Sequence, residues 1–548
     1  MPAPVAAARD PVDADVVLAY HARTKHRLAR YAAGPETLDW DAQPNPFREF
    51  TGCARTMLPL TADRWDRSLA EIYRPAGKPA PLTMESVAAL LELSMGLSAW
   101  KEYGPDRWAL RCNPSSGNLH PTEAYVLCES VPGLGDGLHH YVSRDHVLEQ
   151  RCRRAVRPAA PPRLWIGLAS IHWREAWKYG ERAFRYCQLD IGHALGAIRY
   201  AAGVLGWRAR LVDSMDNAAL AAAMGLDRAA DFAGVEPEHA DLLIAIEPQA
   251  VAESGQAADG PRAPAASDHW IGRANRLDSH PLYRWPVIDE VSAATHVRAG
   301  DQSPATLSYP PLPVPPDVRA AELILGRRSA QRFDAKFRMS AAQFWRLLDC
   351  LLARPIAPWD VWGFAPRSHP VLFVHQVEGL VPGVYILPRH PDAEHALRRQ
   401  LRADFEWRRL EDAPAHLPVY RLLATDCRRI VRTASCHQAI ASDGGFSLSM
   451  LSEFEPTVRA DAWRYRQLHW EAGLLGHVLY LEAEAAGLRS TGIGCYFDDD
   501  VHTMLGIEGT EFQALYHFTV GRPLTDDRIT TTPAYPGRQR NEPAGDTA

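Results

Sequence analysis

The chain has 548 residues, 46% of them hydrophobic and 23% charged, with 16 tryptophans spread along it. That composition belongs to a folded protein too long for one ordinary core, so two or more domains are expected. A formal net charge of −6 with no run of Lys or Arg excludes the electrostatic footprint of a nucleic-acid or anionic-membrane binder.

The N-terminal extension (1–50) is acidic where a secretory signal would be basic, and no segment reaches the ~18 apolar residues that span a bilayer. Nine cysteines, an odd number without C-x-x-C spacing, argue against a disulfide framework or a zinc site. A soluble cytoplasmic protein without a metal is expected. Thr83 caps an amphipathic helix in "PLTMESVAALLELSMGL" (81–97). "NPSSGNLHP" (113–121) is a polar loop running into the apolar strand "TEAYVLCES"; His120 within it suits a substrate contact and a backbone hydrogen bond equally. "KYGERAFRY" (178–186) leads into a long buried helix ending near Gly206, and "ADLLIAIEP" (240–248) reads as a strand.

Residues 249–320 are rich in Ala, Pro, Gly and Ser and end in a stiff proline run. The aromatic stretch "HWIGRANRLDSHPLYRWP" (269–286) is expected to pack on the body. "LGRRSAQRFDAKFRMS" (325–340) places arginines and a serine before a helix capped by Ser340; the set suits a phosphate or carboxylate clamp or a solvated basic turn. In "SCHQAIASDGGFSLSM" (435–450), Cys436 beside His437 reads as structural, with a core helix after it. A second long helix ends near Gly487, followed by the Gly-rich turn "STGIGCYF" (490–497) and the strand "ALYHFTVGRP" (514–523). Asp498, Asp499 and Asp500 read as the charged N-terminus of a helix, and the tail 526–548 as disordered.

The two halves echo each other. At an offset of 281 positions Phe184 meets Tyr465, Asp190 meets Glu471, Gly192 meets Gly473 and Gly206 meets Gly487, without a gap through Gly225 and Gly506. Two α+β domains, 51–250 and 317–525, joined by a linker (251–316) and docked as an intrachain pseudo-dimer, are expected.

Arg327, Ser329 and Phe333, the loop Pro114, Ser115, Ser116 and Asn118, and the late turn together resemble the nitroreductase-like FMN oxidoreductase superfamily. The first half looks closest to its SagB-type dehydrogenases, and Lys178-Tyr179 resembles that group's Lys-Tyr pair, implicated in proton transfer. The resemblance implies an α+β nitroreductase-like fold with a mixed, mostly antiparallel sheet. It also implies an enzyme using FMN, with NAD(P)H as one source of electrons, on a small-molecule or modified-peptide substrate such as an azoline.

The halves keep different parts of such a site. The second has the clamp and late turn; the first has the full loop, which the second trims to "PRSHP" (366–370). One FMN site at the domain interface follows, with a degenerate twin. Its residues would be Arg327, Arg328, Ser329 and Arg522 at the ribityl-phosphate end, Pro114, Ser115, Ser116, Asn118, Gly492, Ile493 and Gly494 about the ring, and Gln331 and Arg332 where relatives stabilise the reduced flavin. Gln331 stands where relatives often carry Arg or Lys. A reductase fed by NAD(P)H and a non-catalytic flavin- or peptide-binding scaffold are the competing readings.

Overall fold

Two long helices, one buried throughout and the other over most of its length, fix the architecture, since helices covered on every side belong at the centre of a large protein. The computed structural model describes residues 11–74, 77–155, 160–248, 260–300, 307, 309–313 and 315–538. Its first half runs α1 (Pro11–Arg23), α2 (Met84–Ser94), the hairpin β1 (Leu97–Tyr103) and β2 (Asp106–Arg111), then β3 (Thr122–Glu129), β4 (Gly137–Val142), β5 (Val147–Arg153) and β6 (Arg163–Ser170). Helices α3 (His172–Tyr179) and α4 (Ala183–Val204), strand β7 (Arg208–Leu211), α5 (Asn217–Met224) and β8 (His239–Glu247) complete it. The second half contributes α6 (Ala341–Asp349), β9 (Ser368–Val374), β10 (Gly383–Ile386), β11 (Tyr420–Ala424) and β12 (Phe446–Glu453). Then come α7 (Arg464–Ala485), β13 (Arg489–Ile493), α8 (Asp498–Leu505), β14 (Phe512–Gly521) and β15 (Thr530–Thr532).

The two main sheets have the same strand order, β5-β4-β3-β6-β8-β7 in one and β11-β10-β9-β12-β14-β13 in the other. Every pair of neighbours along these paths is antiparallel. Among the described residues parallel pairing occurs only as isolated bridges such as Ser329 with Ser490, in keeping with the mostly antiparallel sheets expected. Thr83 and Ser340 cap α2 and α6 with reciprocal capping boxes, as their sequences require.

Helices α4 and α7 pack against each other between the sheets, and α4 is buried over all its 22 residues. They touch where the sequence echo pairs Gly192 with Gly473. A Cβ on Gly192 would collide with the Trp470 carbonyl, and one on Gly473 with that of Leu189. Glycine costs about 1 kcal/mol relative to alanine inside a helix; here it permits backbone contact. Gly192→Ala is therefore expected to lower stability by about 1–3 kcal/mol through overpacking. Gly326→Ala, whose new Cβ meets nothing within 4 Å, should be neutral or stabilising. Equal unfolding midpoints for the two variants would contradict this account of the crossing.

Two expectations change. The segment after Cys436 forms only a short helix, Ile440–Asp443, before the buried strand β12; alternating Ser with Phe, Leu and Met in "FSLSML" is a strand period. Residues 526–538 are ordered, not a loose tail. There β15 pairs with β1 of the other half, and Tyr535 donates to the Ser143 carbonyl (3.0 Å) while accepting from the Leu97 N–H (2.9 Å). The rest of the tail, 539–548, lies outside the described residues. The extension before residue 50 also enters the core: α1 buries Val17 and Tyr20 against Phe184 and Tyr465. Within the aromatic stretch, His269–Trp270 pairs with β5 and Arg273–Ala274 with Phe50–Thr51. No helix among the described residues is long and apolar enough to cross a membrane.

Candidate functional site

A cavity of about 470 Å³ opens between the halves. The first half supplies the hairpin β1–β2, the loop Asn113–His120, Tyr179 of α3, and Tyr186 and His193 of α4. The second supplies Arg327–Gln331, Gln438, Tyr480, the end of β13 through Cys495, and the C-terminal segment that crosses back to pair with β1.

The loop is held from within. Arg111, at the end of β2, donates to the carbonyls of Thr122 (3.0 Å) and Pro46 (2.7 Å). Ser116 donates its N–H and its hydroxyl to Asp190 of α4, each at 3.0 Å. Asn118 donates to the Ala109 carbonyl (2.9 Å), which leaves its oxygen to accept from His120 Nε2 (3.0 Å). Ser115 Oγ accepts the His120 N–H (2.9 Å). His120 is thus a brace inside the loop. Gly117 has φ +59°, and the Tyr179 phenol sits where its Cβ would be. Asn113 differs from its neighbours: it is 1% exposed, lines the cavity, and neither amide atom has a partner among the described residues. A buried amide without a hydrogen bond costs about 1–3 kcal/mol, so Asn113 marks where a ligand would bond.

Arg327 carries the same signature with a charge. It is 4% exposed, its ring-stacked guanidinium lies 4.9 Å from the Tyr480 centroid, and it donates to the Arg111 carbonyl (3.2 Å). Its Nε has no partner, and it forms no ion pair among the described residues. Burial pushes its pKa down. Arg328 is tied to the carbonyls of Leu325 and Arg327, both at 2.7 Å, and burial with the Arg327 charge takes it down to about 10. Ser329 shares a hydrogen bond with the Tyr480 phenol (3.0 Å). Lys101 and Arg489 also line this end, whereas the one lining carboxylate, Asp526, is paired with Arg528 at 2.6 Å. The charge set suits an anion such as a phosphate.

At the other end the glycines of the late turn admit tyrosines. A Cβ on Gly492 would strike the Tyr516 hydroxyl, and one on Gly494 the Tyr186 ring. Gly492 N–H donates to Tyr480 Oη (3.1 Å), and Tyr186 Oη donates to the Gly494 carbonyl (3.0 Å). Burial pushes the Tyr179 phenol well up, so it is a neutral donor at ordinary pH. Behind the loop, burial raises Asp190 to about 7, with the bonds from Ser115 and Ser116 opposing. Glu175, fully buried with neither oxygen partnered, is pushed up by burial and by Asp190.

Of the residues singled out in the sequence, Arg327, Arg328, Ser329, Gln331, Pro114, Ser115, Ser116, Asn118, Gly492, Ile493, Gly494 and Tyr179 line this one cavity. Lys178, Arg332 and Arg522 do not. Successive helical side chains point about 100° apart, so with Tyr179 turned inward Lys178 lies 5.2 Å over the Trp40 ring. Arg522 stacks on Phe337 at 4.1 Å, and Arg332 is exposed. Asn113, Lys101, Arg489, Tyr186, Tyr480 and His193 escaped the sequence reading. Three of them had a signal: at the 281 offset Tyr186, Tyr480 and His193 face Gln467, Arg199 and Leu474, unlike pairs in otherwise like helices.

The twin location is filled. At the positions equivalent to Gly492–Gly494 stand Leu211, Val212 and Asp213, around a space of about 30 Å³ closed by Phe364, Trp463 and Trp470. That is room for about one water. Arg199, the counterpart of Tyr480, pairs there with Asp360 at 2.7 Å. Glu471, the counterpart of Asp190, still accepts the N–H of Arg367 in the trimmed loop (3.0 Å). The loop anchor survives on both sides while the cavity survives on one.

Among the described residues His369, His390 and Glu453 lie close enough to suggest a metal. Each histidine Nδ1 accepts a backbone N–H, from Arg389 and Ala393 at 3.2 Å. The neutral rings therefore carry their proton on Nε2, aimed at Glu453 Oε1 at 3.3 and 2.9 Å. This is a hydrogen-bonded clamp, not a ligand set.

Residues 324–522 match the model of the nitroreductase family. A putative nitroreductase of Methanocaldococcus jannaschii is 26% identical over 138 residues, which cover 23% of this chain and 66% of that protein, just under two thirds of its length. The crystal structure of a putative nitroreductase from Anabaena variabilis aligns with 93% of this chain and 99% of its own, with a TM-score of 0.65 and 21% identity. Another, from Ralstonia eutropha, aligns with 41% of this chain and 88% of its own at 15% identity and a TM-score of 0.26. The fold is nitroreductase-like across nearly the whole chain, and the family signature lies in the second half.

Proposed function

We propose that this chain is an FMN-dependent oxidoreductase with one flavin site, built from the loop of the first half and the clamp of the second. The observation that carries this reading is the pair of buried, under-bonded groups, Arg327 and Asn113, facing one cavity across the two halves. Both fit the cofactor: Arg327, Arg328 and Ser329, with Lys101 and Arg489 near them, would hold the phosphate, and Asn113 with the loop backbone would bond the ring. When bound, flavin supplies two-electron hydride chemistry; the protein supplies orientation, exclusion of water and protons. Tyr179 is the group of this chain suited to hold a proton beside the substrate, since its phenol is neutral and at the cavity wall. Lys178 lies one layer further out.

Purified protein is expected to be yellow with about one FMN per chain, because the twin location has room for about one water. Protein that stays colourless after reconstitution with FMN would refute the reading, and two FMN per chain would refute the single site.

The finer reading is a SagB-type dehydrogenase that takes hydride from an azoline-like ring in a small or peptide-derived substrate. Tyr179, the member of the Lys-Tyr pair at the cavity wall, supports it. The alternative is a reductase that takes hydride from NAD(P)H and passes it to a nitro compound or quinone. Anaerobic mixing separates them: bleaching of the flavin by NADH or NADPH supports the reductase, and bleaching only by a cyclised peptide supports the dehydrogenase.

A further inference from the structure

Cys495 lines the cavity immediately after the Gly-rich turn, and Cys436 lies beside it from another part of the chain. The two backbones are cross-tied on either side of the thiols. Phe497 N–H donates to the Ala434 carbonyl (2.7 Å), and Gln438 Nε2 donates to the Cys495 carbonyl (3.1 Å). Between these ties Cys436 and His437 both adopt positive φ, 52° and 61°, a conformation few non-glycine residues adopt. This backbone lays His437 against the Phe497 ring, 5.7 Å between centroids, and leaves Cys436 next to Cys495.

The surroundings are those of a reactive thiol pair. Cys436 and, from the N-terminal segment, His26 both stand near enough to the Cys495 thiol to act on it. Hydrogen bonding from Cys436, then His26 and the Arg182 charge, hold Cys495 well below the ordinary thiol range against the cost of burial. The proton stays with Cys436, whose pKa is raised by the same bond. A stabilised thiolate next to a thiol, partly open to solvent, is the arrangement of a dithiol poised for oxidation. The other seven cysteines form no such pair, and all but Cys53 are buried.

We infer that Cys436 and Cys495 form a redox-active dithiol at the wall of the cavity, exchanging electrons with the flavin proposed to bind there. In the forward direction the Cys495 thiolate and the Cys436 thiol lose two electrons and one proton as one S–S bond forms, and a bound oxidised flavin would take up both electrons and that proton. In reverse, a disulfide here accepts two electrons from reduced flavin. The inference rests on the flavin reading for its electron partner; the dithiol itself does not.

The test has two arms on the full chain. In the first, protein is treated with diamide, then alkylated and digested without reductant. A linked peptide containing Cys436 and Cys495 is expected, and none in Cys436→Ser. In the second, oxidised protein carrying FMN is titrated anaerobically with dithionite, following the visible spectrum. The disulfide is a two-electron couple, so wild type is expected to consume about twice the reductant that Cys436→Ser consumes, with equal flavin content. Yellow protein that yields no linked peptide overturns the dithiol while leaving the flavin reading intact. Linked peptide with equal titres in the two proteins overturns the exchange with flavin. Colourless protein overturns the flavin reading, and with it this exchange, whatever the peptide map shows.

Discussion

Arg327→Met is expected to weaken FMN binding by about 10- to 150-fold and, in the flavin-free protein, to raise the unfolding midpoint. Hydrogen bonds to charged groups contribute about 1.5–3 kcal/mol, which converts to that range of affinity. The opposite sign for stability comes from the same side chain. Without a ligand, Arg327 is a buried cation with an unpartnered Nε and no ion pair among the described residues. Replacing such a charge by an apolar side chain of similar length is neutral or stabilising. What methionine forfeits is one hydrogen bond from a charged donor to the Arg111 carbonyl, about 1.5–3 kcal/mol, and the stacking on Tyr480, about 1 kcal/mol; the several kcal/mol that it costs to bury an unpaired cation offset both. The neighbour provides the contrast. Arg328 spends its donors on the carbonyls of Leu325, Arg327 and Ser98, so Arg328→Met should lower the midpoint of the flavin-free chain. FMN titration by fluorescence quenching and thermal unfolding of the flavin-free variants measure both effects. If Arg327→Met destabilises the flavin-free protein as much as Arg328→Met does, Arg327 is a structural residue and the clamp is misassigned.

The parts of this molecule that were legible in the sequence are those that repeat locally or at a fixed offset. The long helices, their glycine contact, the capped helices and the division of loop and clamp between halves all follow from short-range pattern or from comparing the halves. What escaped depends on chain segments that meet only in three dimensions. Lys101 belongs to a hairpin whose partner strand comes from residues 530–532, and no periodicity announces that pairing. Asn113 sits beside Pro114 in the loop, but its lack of a partner is a property of burial, invisible in a string. Cys436 looked inert beside His437 because its partner is Cys495, 59 positions on in the chain. Arg182 and Arg185 lie where the chain enters a long helix, and nothing local shows that they are 1% exposed; the second half supplies their counter-ion.

That counter-ion is Asp498, and Asp498→Asn is expected to cost about 3–5 kcal/mol, the usual result of stripping one partner from a buried ion set. Its carboxylate pairs with Arg182 at 2.9 Å and Arg185 at 2.8 Å, and it accepts the His26 N–H at 3.0 Å. One side chain thus joins the N-terminal segment to both halves. Asparagine keeps the shape but leaves two buried guanidinium groups with a neutral partner. The damage should reach the cavity, because Arg182 also donates to the Gly494 carbonyl (3.3 Å) and Arg185 to Tyr496 Oη (2.8 Å), so weaker FMN retention is expected too. Acid supplies an independent test. Burial opposes ionisation of Asp498, but Arg182 and Arg185 outweigh it and hold the carboxyl far below the ordinary range. A carboxyl depressed on folding contributes stability that is fully present above its unfolded pKa of about 4 and is lost as pH falls below that value. Wild type should therefore lose stability steeply below about pH 4, while Asp498→Asn, already weaker at pH 7, should show a shallower acid limb. Parallel acid limbs in urea unfolding from pH 7 to pH 3 would mean that Asp498 is not the charge on which the three segments converge.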